Sequence, residues 1–351
     1  MLIRYKTSED SKAVKQAEIY QPPEHGIPDD AIDPEAVKIT RRLRNHGHTA
    51  YVVGGAVRDL VLGKHPKDFD LVTDALPGRI RKLFRNSRVI GKRFRLVHIF
   101  FRDKIIEVST FRAREAGGFN NIYGVVEEDV LRRDFTMNAL YYCPVDRTVV
   151  DYVGGYRDIL NLQLKPVIPL ERIFVEDPVR MVRALKYAAT TGAKIVGPLR
   201  RRLKRDIERL GDCSQSRMTE EVFKILLSGR AAEILRMAKR YKLLPYMLPE
   251  VSELLRTTRD FRKRFFVSME RLDGETDRRD EMHRSIALAH LCADYLYILS
   301  EFREMRKIPF KEAYLDLKRF MHPVVPANRD VEKALAYLLK RRKRYLQSGG
   351  W

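Results

Sequence analysis

The stretch from Tyr51 to Thr73, YVVGGAVRDLVLGKHPKDFDLVT, constrains the fold of this 351-residue chain more than any other segment. Its apolar start predicts a buried strand, and Gly54-Gly55 lets the backbone turn sharply and approach another group closely where that strand ends. A short helix and a second strand follow. The Asp-Phe-Asp alternation of the second strand predicts that Asp68 and Asp70 share one face of it.

Two carboxylates on one face of a strand repel each other, and each makes the other harder to ionise. A divalent cation between them relieves this repulsion, and Mg²⁺ prefers such oxygen ligands. We therefore predict that Asp68 and Asp70 bind Mg²⁺, and that the glycine turn beside them receives the phosphates of a nucleotide.

The charge of the chain predicts a polyanionic partner. The sequence contains 68 basic and 47 acidic residues, which gives a net charge of +21. Such an excess attracts nucleic acid through its phosphates and makes the binding salt-dependent.

The cysteines and the apolar runs predict a cytoplasmic protein with no membrane partner. The three cysteines are far apart and lack metal-binding spacing, which indicates reduced thiols. No apolar run reaches membrane-spanning length, and the first residues, MLIRYKTSEDSK, do not form a signal-peptide pattern.

Apolar periodicity predicts an α+β fold in which a small mixed-sheet head precedes an all-helical C-terminal array. Residues 1–30 are polar and predict a flexible N-terminal arm. Residues 31–158 alternate strand and helix signals and form the head, whose first helix has Asp33 as N-cap and Pro34 at its first position. Residues 159–215 form a helical neck, and residues 216–351 form a helical body with a basic tail.

The opening stretch resembles the signature of enzymes that extend RNA 3′ ends without a template, namely bacterial poly(A) polymerases and CCA-adding tRNA nucleotidyltransferases. The pattern GG-x-VRD-x-x-LG-x-x-x-x-D-x-D-x-x-T is matched at Gly54, Gly55, Val57, Arg58, Asp59, Leu62, Gly63, Asp68, Asp70 and Thr73. Later family motifs match at RRDFTMNALYY (132–142), DYVGGYRDI (151–159) and EDPVRMVRALKYA (176–188). The resemblance implies a nucleotidyltransferase head and a neck that recognises the nucleotide.

The resemblance also implies the site residues, with Mg²⁺ as cofactor and ATP as substrate. The implied catalytic carboxylates are Asp68, Asp70 and Asp134, of which the first two hold the metal. Glu107, on a neighbouring predicted strand, is an alternative third carboxylate. The implied nucleotide contacts are Gly54, Gly55, Arg58, Arg132, Arg133, Asp177, Arg180, Arg183 and Lys186.

Several of these assignments leave a choice open. Arg58 is also suited to an ion pair with Asp59, and the sequence does not choose between Arg132 and Arg133 for a phosphate contact. Glu107 is equally suited to an exposed position on an edge strand.

The segment EDPVRMVRALKYA predicts a helix with Glu176 and Asp177 at its N-terminus and Pro178 in its first turn. By resemblance, Asp177 and Arg180 hydrogen-bond the base of the incoming nucleotide, and a carboxylate with a guanidinium suits that task. The family usually has arginine where Lys186 stands, so a two-pronged contact is not expected there.

The segment 89–99, VIGKRFRLVHI, resembles the poly(A) polymerases more than the CCA-adding enzymes. We therefore predict addition of AMP from ATP to RNA 3′ ends by a monomer. The alternatives are a CCA-adding enzyme that uses CTP and ATP, and a catalytically silent RNA-binding protein on the same fold.

Basic clusters with interspersed aromatic residues predict a surface that follows RNA phosphates. Any one cluster by itself favours a solvated helix face, whereas the set together with the net charge of +21 favours a surface for RNA. The residues assigned to RNA are Lys92, Arg93, Arg95, Arg200, Arg201, Arg202, Lys204, Lys340, Arg341 and Arg342.

Overall fold

The computed structural model describes residues 1–7, 13–91, 95–102, 104–113, 123–278, 282–302 and 308–347, and no side chains at 7, 301, 302 and 342–347. The chain folds into two compact units. The first contains Met1–Leu170 and Ala193–Val196, and the second contains Glu171–Gly192 and the chain from Gly197 onward. The predicted division of the helical part into a neck and a body stays a prediction.

The first unit is built on a mixed sheet of nine strands in the described residues. They are β1 (Leu2–Thr7), β2 (Ala13–Tyr20), β3 (Ala50–Val53), β4 (Asp70–Thr73), β5 (Ser87–Ile90), β6 (Leu96–Phe100), β7 (Ile105–Thr110), β8 (Leu140–Cys143) and β9 (Thr148–Asp151). The strand order is β1-β2-β9-β8-β3-β4-β7-β6-β5. The pair β4–β7 is parallel, and the other pairs of this sheet are antiparallel. Two short strands, β10 (Gln163–Leu164) and β11 (Lys194–Ile195), pair in parallel beside it.

The helices of the first unit are short. They are α1 (Pro22–His25), α2 (Pro34–Asn45), α3 (Gly55–Val61), α4 (Pro77–Leu83), α5 (Val126–Arg132) and α6 (Gly155–Leu160). Helix α2 begins as predicted, because the Asp33 carboxylate accepts hydrogen bonds from the N–H groups of Glu35 and Ala36 at 2.8 and 3.3 Å. Helix α4 packs on β5 and β6.

The sheet is buried on both faces near its centre. Leu71, Val97 and Val108 occupy neighbouring positions of β4, β6 and β7 and are at most 1% exposed. On the opposite face, Tyr51 and Tyr141 belong to a second apolar cluster. The predicted α+β head is therefore confirmed.

Residues 2–7 and 13–20 form strands in the part of the chain for which the sequence predicts a flexible arm. Strands β1 and β2 pair in antiparallel orientation, and β2 joins the main sheet by pairing with β9. Ala17 and Tyr20 are buried, and the Tyr20 ring stacks on Tyr156 at 3.9 Å between centroids. The sequence pattern does not predict strand β2, because polar residues separate its few buried side chains.

The second unit is helical, as predicted. Its helices are α7 (Leu170–Glu176), which starts at the last residue of the first unit, α8 (Arg180–Thr191), α9 (Gly197–Arg205), α10 (Gln215–Leu226), α11 (Ala231–Arg240), α12 (Leu244–Met247), α13 (Pro249–Thr257), α14 (Arg259–Thr276), α15 (Arg284–Phe302), α16 (Phe310–Met321) and α17 (Asn328–Gln347). Among the described residues, no helix has the length and apolar character needed to cross a bilayer. The three cysteines form no disulfide.

The helix predicted across residues 176–188 is divided in the structure. Glu176 is the last residue of α7, and α8 begins only at Arg180. The reason is Pro178, which disfavours the helical conformation of the residue before it. Asp177 therefore lies in the connection between two helices, where its carboxylate accepts a hydrogen bond from the Val179 N–H at 3.3 Å.

Candidate active site

The two carboxylates of the signature lie at the start of β4. Asp70 is the first residue of that strand and pairs with Val53, whereas Asp68 precedes the strand. The prediction that both lie on the strand is wrong for Asp68, because β3 ends at Val53 and has no residue left to pair with it. Both aspartates are exposed, so their carboxylates are accessible to a ligand.

Glu107 lies beside Asp70 on the neighbouring strand. The parallel register pairs Leu71 with Val108, so Asp70 and Glu107, each one residue earlier, share the opposite face of the sheet. On its other side, Glu107 contacts His98 of β6, with 3.1 Å between Oε1 and Nε2. The fold therefore brings a third carboxylate next to Asp70.

The donor set at this edge suits a hard divalent cation, since it consists of carboxylate oxygens. Within the described ranges, however, no group of three or more His, Cys, Asp or Glu side chains is arranged to hold a metal. Mg²⁺ is commonly bound by one or two carboxylates together with substrate phosphates. Asp68 and Asp70 fit that mode of binding.

The glycine turn has a backbone conformation that requires glycine. Gly54 has φ 71° and ψ −131°, and Gly55 is the first residue of α3. A β-carbon at position 54 would lie 3.6 Å from Nη1 of Arg133, so this arginine lies against the turn. The structure thus distinguishes Arg133 from Arg132, whose Nη1 donates to the Ala113 carbonyl at 2.9 Å.

Arg133 is held in place by Asp129 and Tyr141. Its Nη2 donates to Asp129 Oδ2 at 3.0 Å, and its Nε donates to the Tyr141 hydroxyl at 2.9 Å. That hydroxyl donates in turn to Asp129 Oδ2 at 2.8 Å. Burial alone lowers the pKa of Arg133, but Tyr141 and Asp129 outweigh it and hold the pKa above its usual value. A permanent positive charge therefore lies against the glycine turn.

Asp134, the residue after Arg133, is buried at 4% exposure. Its Oδ1 accepts hydrogen bonds from the Phe135 N–H at 2.7 Å and from Asn138 Nδ2 at 3.0 Å. Asn138 Oδ1 accepts from Arg58 Nη1 at 2.8 Å, and Arg58 Nη2 pairs with Asp59 at 2.8 Å. This chain of contacts fixes α3 to the segment after α5.

Asp129, Asn138 and Tyr141 support the site but were not among the predicted residues. Two sequence signals pointed to them. Asp129 precedes Arg133 by four residues, which is the spacing of an ion pair at the end of a helix. Asn138 and Tyr141 lie within the matched segment RRDFTMNALYY.

In the helical unit, Asp177 and Arg180 lie close together at the start of α8. Arg180 is 7% exposed, with Nε 4.0 Å from Asp177 Oδ2 and Nη1 3.6 Å from Glu176 Oε2. Asp177 also pairs with Arg217 of α10, whose side chain is about half exposed. A carboxylate and a guanidinium are thus adjacent, as the sequence predicts.

Lys186 and Arg183 face neighbouring side chains of the helical unit. Lys186 Nζ lies 2.9 Å from Glu221 Oε2, and both residues are buried. Arg183 Nη2 donates to the Tyr187 hydroxyl at 3.0 Å. Lys186, one of the predicted nucleotide contacts on α8, is therefore engaged in a buried ion pair within the helical unit.

The residues predicted to bind RNA are mostly exposed. Arg95, Arg200, Arg201, Lys204, Lys340 and Arg341 are exposed. Arg202 differs, because its Nε donates to Asp206 Oδ2 at 2.6 Å and its Nη2 to the Glu171 carbonyl at 3.2 Å. Lys92, Arg93 and the side chain of Arg342 lie outside the described residues.

Two family models match the chain. Residues 50–165 match the model described as the poly A polymerase head domain. Residues 198–255 match the model described as a probable RNA and SrmB- binding site of polymerase A.

Curated relatives and solved structures match as well. The chain is 40% identical to poly(A) polymerase I of Escherichia coli O6:H1, over 70% of the chain and 57% of that protein. It is 33% identical to a CCA-adding enzyme of Bacillus pumilus, over 60% of the chain and 54% of that protein. Thus the chain spans somewhat more than half the length of these relatives.

A crystal structure of the Bacillus stearothermophilus CCA-adding enzyme in complex with CTP resembles the fold, with a TM-score of 0.61 at 24% identity. The similarity covers 90% of this chain and 83% of that chain. This similarity confirms the predicted fold, and the family models and the curated relatives confirm the predicted resemblance.

Proposed function

We propose that this chain belongs to the family of poly(A) polymerases and tRNA nucleotidyltransferases, and that it adds AMP from ATP to RNA 3′ ends. The observation that carries the proposal is the 40% identity to proteins named poly(A) polymerase I, against 33–34% to relatives named as CC- or CCA-adding enzymes. The segment 89–99 supports the same product. The protein acts in the cytoplasm as a monomer.

The carboxylates at the start of β4 form the reaction centre. Asp68 and Asp70 hold Mg²⁺, which supplies activation of the RNA 3′-hydroxyl and neutralisation of the triphosphate when bound. Glu107 is the third carboxylate, since it lies beside Asp70 on β7 and is exposed. Asp134 acts from below as a positioning residue, because its Oδ1 is engaged by Phe135 and Asn138.

The glycine turn receives the triphosphate. Gly54 and Gly55 leave room for phosphate oxygens to approach the backbone, and Arg133 places a charge against the same turn. Arg58 holds α3 in position through Asp59 and Asn138. The resulting rigidity orients the α-phosphate for attack by the RNA 3′-hydroxyl, with pyrophosphate as the leaving group.

The base of the nucleotide is selected in the helical unit. Asp177 accepts a hydrogen bond from the base, and Arg180 either donates to the base or holds Asp177 in place. The contact between Asp177 and Arg217 orients the carboxylate. Selection by side chains in this way requires no template strand.

The experiment that tests this proposal compares two RNA substrates, a tRNA without its terminal CCA and an unstructured RNA. Each is supplied with ATP alone or with ATP and CTP. Long A tails on both RNAs without CTP support the proposal. Growth that stops after CCA on the tRNA, and that requires CTP, supports the alternative activity of a CCA-adding enzyme. The identity to CCA-adding relatives is the reason for testing it.

A matched variant separates catalysis from silent RNA binding. Asp70→Asn removes one carboxylate from an exposed strand end. Lost incorporation with unchanged RNA affinity supports a catalytic role. Full incorporation by this variant would contradict the assignment of the site.

A further inference from the structure

One segment of the head carries an unusual concentration of positive charge. Residues 75–102 contain seven arginines and two lysines and no aspartate or glutamate. This segment includes α4, β5 and β6, and β5 is an edge strand of the main sheet. Seven of these nine cations lie in the described residues, on or beside α4, β5 and β6.

A cavity of about 380 Å³ opens in this part of the surface. Arg79 and Lys82 of α4 line it together with Arg95, which precedes β6. Leu76 and Tyr123 complete its apolar side, and both are exposed to solvent. Tyr123 forms a β-bridge with Arg112, which sets the position of its backbone beside the cavity.

The three cations of the cavity are available to a ligand. All three are exposed, and none forms an ion pair with another residue in the part of the chain that the structure describes. Some other cations of the head do have carboxylate partners, for example Lys104 with Asp33 and Arg147 with Asp29. Concentrated charge without internal partners favours an external polyanion.

We propose that this cavity binds one nucleotide of single-stranded RNA, at a site separate from the catalytic carboxylates. Arg79, Lys82 and Arg95 contact the phosphates, and one base stacks on Tyr123 and packs against Leu76. A positive groove with an exposed aromatic ring is the usual means of binding a single strand without reading its sequence. The inference rests on the proposed function for the identity of the RNA, since a 3′-end-extending enzyme needs a hold on the strand behind its end.

RNA is favoured over an acidic protein segment by the chemistry of the cavity. A carboxylate chain would use the three cations but would gain little from an exposed tyrosine ring beside them. A nucleotide contacts both the cations and the ring, because it carries a phosphate and a flat base.

Binding measurements on the full chain test the charges. The probe is a labelled single-stranded RNA of about 20 nucleotides that ends in a 3′-deoxyribose, longer than the 4–16 nucleotides such sites cover. We compare the double variant Arg79→Gln, Lys82→Gln with the control Lys6→Gln, Arg41→Gln, which removes the same charge from other exposed positions of the head. The slope of log affinity against log salt should fall by roughly 1 to 1.5 in the first variant only, since each single-strand contact contributes about 0.7. Equal slopes for the two variants would overturn the proposal.

Variants of Tyr123 test the stacking. Tyr123→Ala should weaken RNA binding by about fivefold or more, and Tyr123→Phe, which keeps the ring, should not. If Tyr123→Ala binds like the wild type while poly-glutamate competes as strongly as RNA, the surface recognises acidic protein and the RNA assignment fails.

The two proposals fail separately. Binding of the 3′-deoxy probe requires no chemistry, so a chain that binds it through Arg79 and Lys82 but adds no AMP would contradict only the proposed activity. A chain that adds AMP normally, and whose RNA affinity is unaffected by the cavity variants, would contradict only the cavity. Circular dichroism of each variant establishes that it is folded.

Discussion

The ammonium group of Lys186 lies 2.9 Å from the carboxylate of Glu221, and both side chains are buried in the helical unit. Removing one partner of a buried ion pair costs about 3–5 kcal/mol when the other charge is left unpaired. Glu221 keeps a second partner in Lys224, whose Nζ lies 3.2 Å from its Oε1, so we expect Lys186→Met to lower the free energy of unfolding by no more than about 3 kcal/mol in urea denaturation. The double variant Lys186→Met, Glu221→Met should recover most of the loss. A single variant that is stable but adds no AMP would instead indicate a nucleotide contact at Lys186.

The same pair makes stability depend on pH. Burial alone would raise the pKa of Glu221, but Lys186, Arg183 and Lys224 outweigh burial and hold that pKa below its usual value. A carboxylate with a lowered pKa stabilises the fold above its unfolded pKa of about 4.3, and this contribution disappears as the pH falls through the folded pKa. We expect the unfolding free energies of wild type and Glu221→Gln to converge between about pH 5 and pH 3. A difference that stays constant over this range would contradict the lowered pKa.

Glu107 and Asp134 should respond differently to substitution. Glu107→Gln should reduce AMP incorporation by about 100-fold or more with unchanged stability, since a metal site supplies several kcal/mol and the side chain is exposed. Asp134→Ala should lower stability by about 1–3 kcal/mol, because it removes the acceptor for Phe135 and Asn138. Incorporation by both variants should be measured together with their thermal unfolding. Loss of incorporation in a fully stable Asp134→Asn variant would make Asp134 the third carboxylate.

Alanine substitutions at Gly54 and Gly55 should have different effects on stability. Gly54→Ala should destabilise the protein by about 1–3 kcal/mol, because alanine is strained at φ 71° and ψ −131°. Gly55→Ala should leave stability unchanged or slightly higher, since position 55 is helical and its β-carbon would meet only Arg58 Nη2 at 3.6 Å. If phosphates approach the backbone here, Gly55→Ala raises the KM for ATP while the protein remains stable. An unchanged KM would remove Gly55 from the nucleotide site.

Substitutions at Asp177 and Arg217 distinguish a direct role of the Asp177 carboxylate in base selection from a role of its ion pair. Asp177→Ala should reduce the preference for ATP over other nucleotides by about tenfold or more, the value of a hydrogen bond to a charged group. Arg217→Gln removes the exposed partner of Asp177 and should change the preference much less. Relative kcat/KM for the four nucleotides measures both effects. Equal effects would mean that the ion pair, and not the Asp177 carboxylate alone, selects the base.

Local patterns made much of the head predictable. The N-cap of α2 at Asp33 and the glycine turn after β3 each depend on neighbouring residues. These features depend on backbone geometry that a short segment specifies by itself.

Contacts between distant residues were not predictable in the same way. The position of Glu107 beside Asp70 follows from the parallel pairing of β4 and β7, and no residue within either strand specifies that partner. The burial of Lys186 depends on Glu221, 35 residues further along the chain. Likewise, β2 becomes a sheet strand only because β9 lies next to it.

The short excursion of residues 193–196 limits how the protein can be divided. Strand β11 belongs to the first unit and pairs with β10, although helical segments of the second unit precede and follow it. A gene fragment that ends at Leu170 would encode the head without this strand. Exchange of heads or helical units between relatives therefore requires two junctions flanking β11 in addition to the one at residue 170. A chimera with a single junction would place β10 and β11 in segments from different parents.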